Sequence, residues 1–115
     1  MRFILLIYSR ETAWTGLPDE DKREIAGQYE DFTESIRKSG HDLAGDGLEP
    51  TTAARTIRLR DRKVLSTDGP FAETREQLGG YYLVEAPDLD EACALAARVP
   101  GAAEGAIEVR PIMTM

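Results

Sequence analysis

Short hydrophobic runs with strand periodicity predict most of the secondary structure. Residues Arg2 to Tyr8 form a nearly continuous apolar run, which is typical of a strand buried on both faces. Further along, Ile57 and Leu59 alternate with arginines, and this pattern predicts a half-buried strand that starts after Ala54. A tight turn at 61–63 makes that strand the first half of a hairpin. A short strand-like piece is predicted around Leu43 and Ala44 within 42–47, and the remaining strands are predicted at 64–67, 78–86 and 106–112.

Two segments have the period of an amphipathic helix. The apolar residues of the first recur at spacings of four, three and four: Ile25, Tyr29, Phe32 and Ile36. Pro18 with three following carboxylates predicts its start, and Gly40 predicts its end. The second helix begins at Asp88 and Glu91, which are spaced as a capping box, and ends at Pro100. The segment 9–18 is predicted to be a loop.

The resulting order, β-α-β-β-β-β-α-β, predicts a single α+β domain over residues 1–115. It contains the split β-α-β pattern, in which two helices cover one face of an antiparallel sheet. Two helices cannot cover both faces, and a partner subunit is the simplest source of the missing cover. We therefore expect a homodimer formed through the open sheet face.

Composition and charge exclude several classes of protein. The 115 residues suffice for one core, and the net charge of −7 argues against a general nucleic-acid binder. The first apolar run is about a third of the length that a membrane span requires, so no membrane association is expected. The single cysteine, Cys93, is predicted to be a buried, inert thiol, and its isolation favours a reducing, cytoplasmic location.

One segment carries a more specific signature. The run Asp68-Gly69-Pro70-Phe71 is followed, in one register, by Glu73, Glu76, Leu78, Gly79 and Gly80. This pattern resembles the DGPF signature of the YCII-related family, and the likeness extends over nearly the whole chain, from the first strand to the last. The resemblance implies a dimeric α+β barrel of ferredoxin-like subunits, a bacterial origin and frequent association with alternative sigma factors. It implies no settled biochemical function for most members.

The resemblance also implies a His-Asp pair whose histidine lies on the first helix. The matching position here is Tyr29, so this chain lacks that histidine. Its only histidine, His41, follows the helix and is a further candidate for catalysis, although a charge beside a helix end is the commoner role. One histidine and one distant cysteine have no paired ligand spacing. We therefore predict no metal site and no cofactor.

Asp68 and Glu73 are the first candidates for acid–base chemistry. Asp68 at the mouth of a pocket is a candidate general base or hydrogen-bond acceptor, a role that requires burial near Phe71. The alternative is that Asp68 caps the turn before Gly69 through its own side chain. Glu73 extends the carboxylate cluster, or it is a solvated loop charge.

The candidate ligand-binding side chains are aromatic or basic: Tyr8, Trp14, Arg58, Arg60, Phe71 and Tyr82. The aromatic ones suit a small aromatic or apolar ligand. Arg58 and Arg60 share a strand face that suits an anionic group, or they keep an exposed strand soluble.

Two functions remain open from the sequence. The first is a cofactor-independent enzyme that acts on a small organic molecule near the Asp-Gly-Pro-Phe loop, by lyase, isomerase or oxygenase chemistry. The second is a non-catalytic ligand-binding or accessory module associated with sigma-factor regulation.

Overall fold

Six strands and three helices follow one another in the predicted order, with one addition. In the computed structural model, which describes residues 1–114, the elements are β1 (Arg2–Ser9), α1 (Thr12–Thr15), α2 (Asp19–Lys38), β2 (Asp42–Gly47), β3 (Arg55–Arg60), β4 (Lys63–Asp68), β5 (Gln77–Glu85), α3 (Leu89–Arg98) and β6 (Ala106–Pro111). The addition is α1. The prediction of a continuous loop was wrong there because the amides of Trp14 and Thr15 donate to the Glu11 carbonyl and close one helical turn.

The four strands β1, β2, β5 and β6 form an antiparallel sheet in the order β2-β5-β1-β6. Helices α2 and α3 pack on one of its faces. Phe3 and Leu5 point to that face from β1 and are buried against Ile36 of α2 and Leu95 of α3. This arrangement confirms the α+β, ferredoxin-like prediction. Within residues 1–114, none of the helices combines the length and the apolar character needed to cross a membrane.

Among residues 1–114, no helix packs on the other face of this sheet, which we call the outer sheet face. Alternate strand residues point there, and Ile4, Leu6 and Leu83 form its half-buried apolar centre. The shortest dimension of the protein is 19 Å, about the thickness of one sheet layer and one helix layer. The part of the chain that the structure describes is therefore a two-layer unit.

Strands β3 and β4 pair only with each other and form a separate hairpin over residues 55–68, which we call the arm. The radius of gyration is 15.9 Å, compared with about 13 Å for a compact domain of this length. The hairpin prediction is confirmed, but the half-buried strand was wrong. Ile57 and Leu59 are 57% and 63% exposed because the arm does not join the four-stranded sheet. At its tip, Asp61 and Arg62 have φ of 50° and 64°, as a two-residue primed turn requires.

Most of the local signals appear in the structure. The Asp88 carboxylate accepts a hydrogen bond from the Glu91 amide at 2.8 Å, which confirms the capping box. Gly40 has φ of 82° and ends α2. The pairing of β1 with β5 skips Gly79, so this residue forms a bulge. Cys93 corrects one prediction, since it lies on the exposed side of α3 rather than in the core.

Candidate functional site

A cavity of about 630 Å³ lies between α2 and one end of the four-stranded sheet. This end is where β1 and β2 finish and β5 begins. The aromatic and helical part of its wall consists of Trp14, Ile25, Tyr29, Thr33, Tyr81 and Tyr82. The volume lies within the range of pockets that hold small organic ligands.

Tyr29 reaches the cavity because it shares a face of α2 with Ile25 and Thr33, each four residues away. Its hydroxyl oxygen lies so close to Gly101 that a Cβ atom there would be 2.7 Å from it. Burial raises the pKa of Tyr29 above 10.0, the charge of Glu104 raises it further, and the Gly101 amide opposes the rise. Tyr29 is therefore protonated at neutral pH and available as a hydrogen-bond donor.

Tyr82 forms the opposite part of the wall. Its hydroxyl oxygen is 2.7 Å from the Thr33 hydroxyl oxygen, and its ring meets Phe32 edge to face at 5.2 Å between centroids. Gly45 on β2 makes room for that ring, since a Cβ atom at this position would lie 2.6 Å from Tyr82 Cδ1. Burial raises the pKa of Tyr82, and the hydrogen bond between Tyr82 and Thr33 opposes the shift. Tyr29 and Tyr82 are thus two neutral phenols of the wall, which also includes Tyr81.

The charged side chains of the cavity wall are all carboxylates: Glu11, Asp46, Glu49 and Glu104. Glu11 accepts hydrogen bonds from the amide and the hydroxyl of Thr51, and these bonds lower its pKa. The Tyr81 hydroxyl donates to Asp46 at 3.1 Å. Among residues 1–114, neither a lysine, an arginine nor a histidine lines the cavity. The site is therefore aromatic and negatively charged.

Three predicted site residues lie on the arm or directly after it, outside the cavity wall: Asp68, Phe71 and Glu73. The Asp68 side chain is 91% exposed, and its carboxylate is 3.4 Å from the Arg55 guanidinium. Gly69 follows with φ of 106°, which suits the turn-forming alternative. Within one chain, Asp68 lacks the burial that a general base requires. Its chemical role stays a prediction.

The two predicted arginines also belong to the arm. Arg58 and Arg60 lie on the same face of β3, as predicted, and the Arg58 guanidinium lies 5.3 Å from the centre of the Phe71 ring. Neither arginine lines the cavity, and neither does Tyr8 on β1. Of the predicted ligand-binding residues, the structure brings together Trp14 and Tyr82.

His41 connects the end of α2 to the start of α3. Its Nε2 is 3.0 Å from a Glu91 carboxylate oxygen, and its Nδ1 is 2.6 Å from the Ser39 hydroxyl. It is not part of the cavity wall. These contacts fit a structural role, and catalysis by His41 stays an untested prediction.

Several residues of the wall had no place among the predicted site residues, notably Thr33, Glu49 and Glu104. Tyr29 was identified as a member of the apolar stripe and as the position where the family histidine is missing, but not as a site residue. One signal was available on α2, where Tyr29 of the apolar stripe and Thr33, four residues later, both carry hydroxyl groups. The two glutamates have no comparable local signal.

Comparison with known proteins supports the fold. The family model of the YCII-related domain matches residues 1–115. An uncharacterised protein of Rhizobium meliloti (strain 1021) is 33% identical over 114 residues, which is 97% of this chain and 92% of that protein. Among solved structures, 5-chloro-2-hydroxyhydroquinone dehydrochlorinase from Burkholderia phenoliruptrix AC1100, in complex with 2,5-dihydroxybenzoquinone, has a TM-score of 0.52 at 14% identity. That match covers 98% of this chain and 94% of the other, and it shows a common fold.

Proposed function

Because the chain belongs to the YCII-related family, we propose that it binds a small ring-containing organic molecule in the cavity beside α2. The observation that carries this proposal is the cavity of about 630 Å³ with aromatic walls. Aromatic side chains favour planar ligands through stacked or edge-to-face contacts. The dehydrochlorinase, which shares the fold, is a protein in complex with a quinone, and this supports a small ring as the ligand.

The charges of the wall narrow the chemical class of the ligand. Four carboxylates repel an anion, and the basic pair Arg58 and Arg60 lies away from the cavity. A neutral or cationic ring avoids this repulsion and accepts hydrogen bonds from the Tyr29 hydroxyl. The proposed ligand is therefore a neutral or positively charged ring compound with at least one hydrogen-bonding oxygen.

Acid–base catalysis without a cofactor is the finer part of the proposal. Tyr29 and Glu104 both line the cavity, so a phenol that donates a hydrogen bond and a carboxylate that accepts a proton face the same space. We assign Glu104 as the general base and Tyr29 as the hydrogen-bond donor that orients the ligand. Asp68 and Glu73 remain candidates for acid–base catalysis. They could act only if the position of the arm brings them to a cavity.

Binding is tested by the fluorescence of Trp14, which is the only tryptophan and lies in the cavity wall. Neutral phenols and phenylethylamines are expected to change this fluorescence saturably, whereas benzoates of equal size are not. Tyr29→Phe should weaken binding about tenfold, the value of one hydrogen bond. Tyr8→Phe is the control outside the wall. The absence of a saturable signal from every ring compound, or equal affinity in Tyr29→Phe, would contradict the proposal.

Catalysis is tested separately with any compound that Trp14 reports as bound. Wild type and Glu104→Gln are incubated with the compound, and products are detected by mass spectrometry. Turnover by wild type and binding without turnover by Glu104→Gln support the acid–base assignment. Equal turnover by both proteins would contradict it.

A second candidate function is a non-catalytic accessory module of the DGPF subgroup, associated with sigma-factor regulation in the bacterial cytoplasm. The observation that favours it is the solvated position of Asp68, away from the cavity wall. The isolated Cys93 suits a reducing compartment. A ligand that binds but is never consumed would favour this candidate over the enzyme.

We also propose that the chain forms a homodimer through the outer sheet face. The support is the apolar centre of that face, formed by Ile4, Leu6 and Leu83, which no helix of the described part of the chain covers. Light scattering is expected to give twice the mass of one chain, 12.7 kDa. A stable monomer would contradict the proposal.

A further inference from the structure

The arm has two chemically different faces. Residues that pair across the hairpin share a face, so Leu59 and Val64 lie on the same side, together with Ile57. These three are 57–68% exposed and form the apolar face of the arm. The opposite face is basic and carries Arg58, Arg60 and Lys63, with Leu65 among them.

Hydrogen bonds at the base of the arm join its two ends to each other. The Gly69 amide donates to the Ala54 carbonyl at 2.9 Å, and the Thr56 hydroxyl donates to the Gly69 carbonyl at 2.9 Å. A two-stranded hairpin on its own is marginally stable in water, and three or more strands or a packing surface make it stable. The apolar face therefore needs a surface to pack on.

Charge indicates which surface that is. Residues 55–68 contain five basic and two acidic side chains, a net charge of +3, whereas the whole chain carries −7. The rest of the chain accordingly carries −10. A second copy therefore offers a surface of opposite charge to the arm. Attraction of this kind acts over about 8–10 Å at moderate salt and orients the approaching copy.

We propose that the arm of each chain packs, with its apolar face inward, on a second copy of this chain. Twofold symmetry makes the exchange reciprocal, so that each copy gives one arm and receives one. The motif Asp68–Phe71, which lies at the base of the arm where β4 ends, is then at the interface between copies. The proposal is independent of ligand binding, and it concerns residues other than those of the contact between outer sheet faces.

The first test is the effect of arm substitutions on self-association. The double variant Leu59→Ser, Val64→Ser should raise the dimer dissociation constant, measured by sedimentation over a dilution series, by about tenfold or more. Leu65→Ser on the basic face is the matched control and should leave the constant unchanged. Added salt should weaken the wild-type dimer. An unchanged constant in the double variant, or a wild type that stays monomeric, would overturn the proposal.

A second measurement identifies the contact directly. A photo-crosslinking residue replaces Leu59 in unlabelled protein, which is mixed with 15N-labelled wild type and irradiated. Crosslinked peptides that join unlabelled residue 59 to labelled residues outside the arm are the expected result, and a crosslinker at Asp90 on α3 is the control. Crosslinks confined to one chain overturn the arm exchange. If Leu83→Ser then weakens the dimer while the arm variants do not, the outer sheet face alone forms the dimer.

Discussion

The hydrogen bond between Tyr82 and Thr33 provides a sharp test of the cavity wall. The two hydroxyl oxygens are 2.7 Å apart in a partly buried position, and the Tyr82 ring also contacts Phe32. Tyr82→Phe removes the hydroxyl and keeps the ring, so the expected loss in the free energy of unfolding is that of one net hydrogen bond, about 1 kcal/mol. Thr33→Val should lose a similar amount. Once one partner is absent, the second substitution breaks nothing further, so the double variant should lose about 1 kcal/mol rather than the sum.

The assay is urea unfolding followed by far-ultraviolet circular dichroism. All four proteins are compared at one concentration, because self-association makes apparent stability concentration-dependent. For a domain of this size, 1 kcal/mol corresponds to a change of about 4 °C in Tm. Tyr8→Phe, which removes a hydroxyl outside the wall, is the control. A coupling energy within about 0.3 kcal/mol of zero would refute the hydrogen bond and the described position of the Tyr82 hydroxyl.

Three further predictions concern local packing, capping and pH. Gly45→Ala should lower the free energy of unfolding by about 1–3 kcal/mol, because the added Cβ atom would lie 2.6 Å from the Tyr82 ring and 3.0 Å from a backbone oxygen. Gly47→Ala is the control, since a Cβ atom there has open space around it. Equal losses in the two variants would contradict the described packing of Gly45 against Tyr82. Asp88→Ala should cost about 1 kcal/mol in thermal unfolding while Asp88→Asn retains most of the capping energy, and equal effects would argue against the cap. Because burial raises the pKa of folded Tyr29 above 10.0, stability should be lost as pH rises past that value, less steeply in Tyr29→Phe; parallel losses would contradict the shift.

Local sequence patterns were sufficient to predict the helices and strands, because the interactions that begin and end these elements involve residues close together in the chain. Asp88 meets the amide of a residue three positions later, and Gly40 ends a helix through its own φ angle. The arm shows the limit of such reasoning. The alternation at Ile57 and Leu59 correctly predicts that one face of the strand is apolar. It does not predict which surface covers that face, and in the structure this apolar face is exposed to solvent.

The site was only partly predictable, because it is assembled from segments far apart in the chain. Trp14 and Tyr82 were identified as aromatic residues suited to a pocket, and both line the cavity. Glu104 comes from a segment after α3 and has no local mark of a role. Asp68 belongs to a specific motif, yet its place relative to the cavity depends on the direction of the arm, which is a property of the whole fold.

The separation of the arm from the four-stranded sheet has an evolutionary consequence. Ile57, Leu59 and Val64 contribute nothing to the core of their own chain, so selection for folding does not act on them through that core. Among relatives, substitutions of these three residues should occur together with substitutions in the surface that the arm contacts. Substitutions of Phe3 and Leu5 should instead occur together with those of other core residues. Substitutions in the arm should therefore change what this chain associates with, while its own core and fold stay as they are.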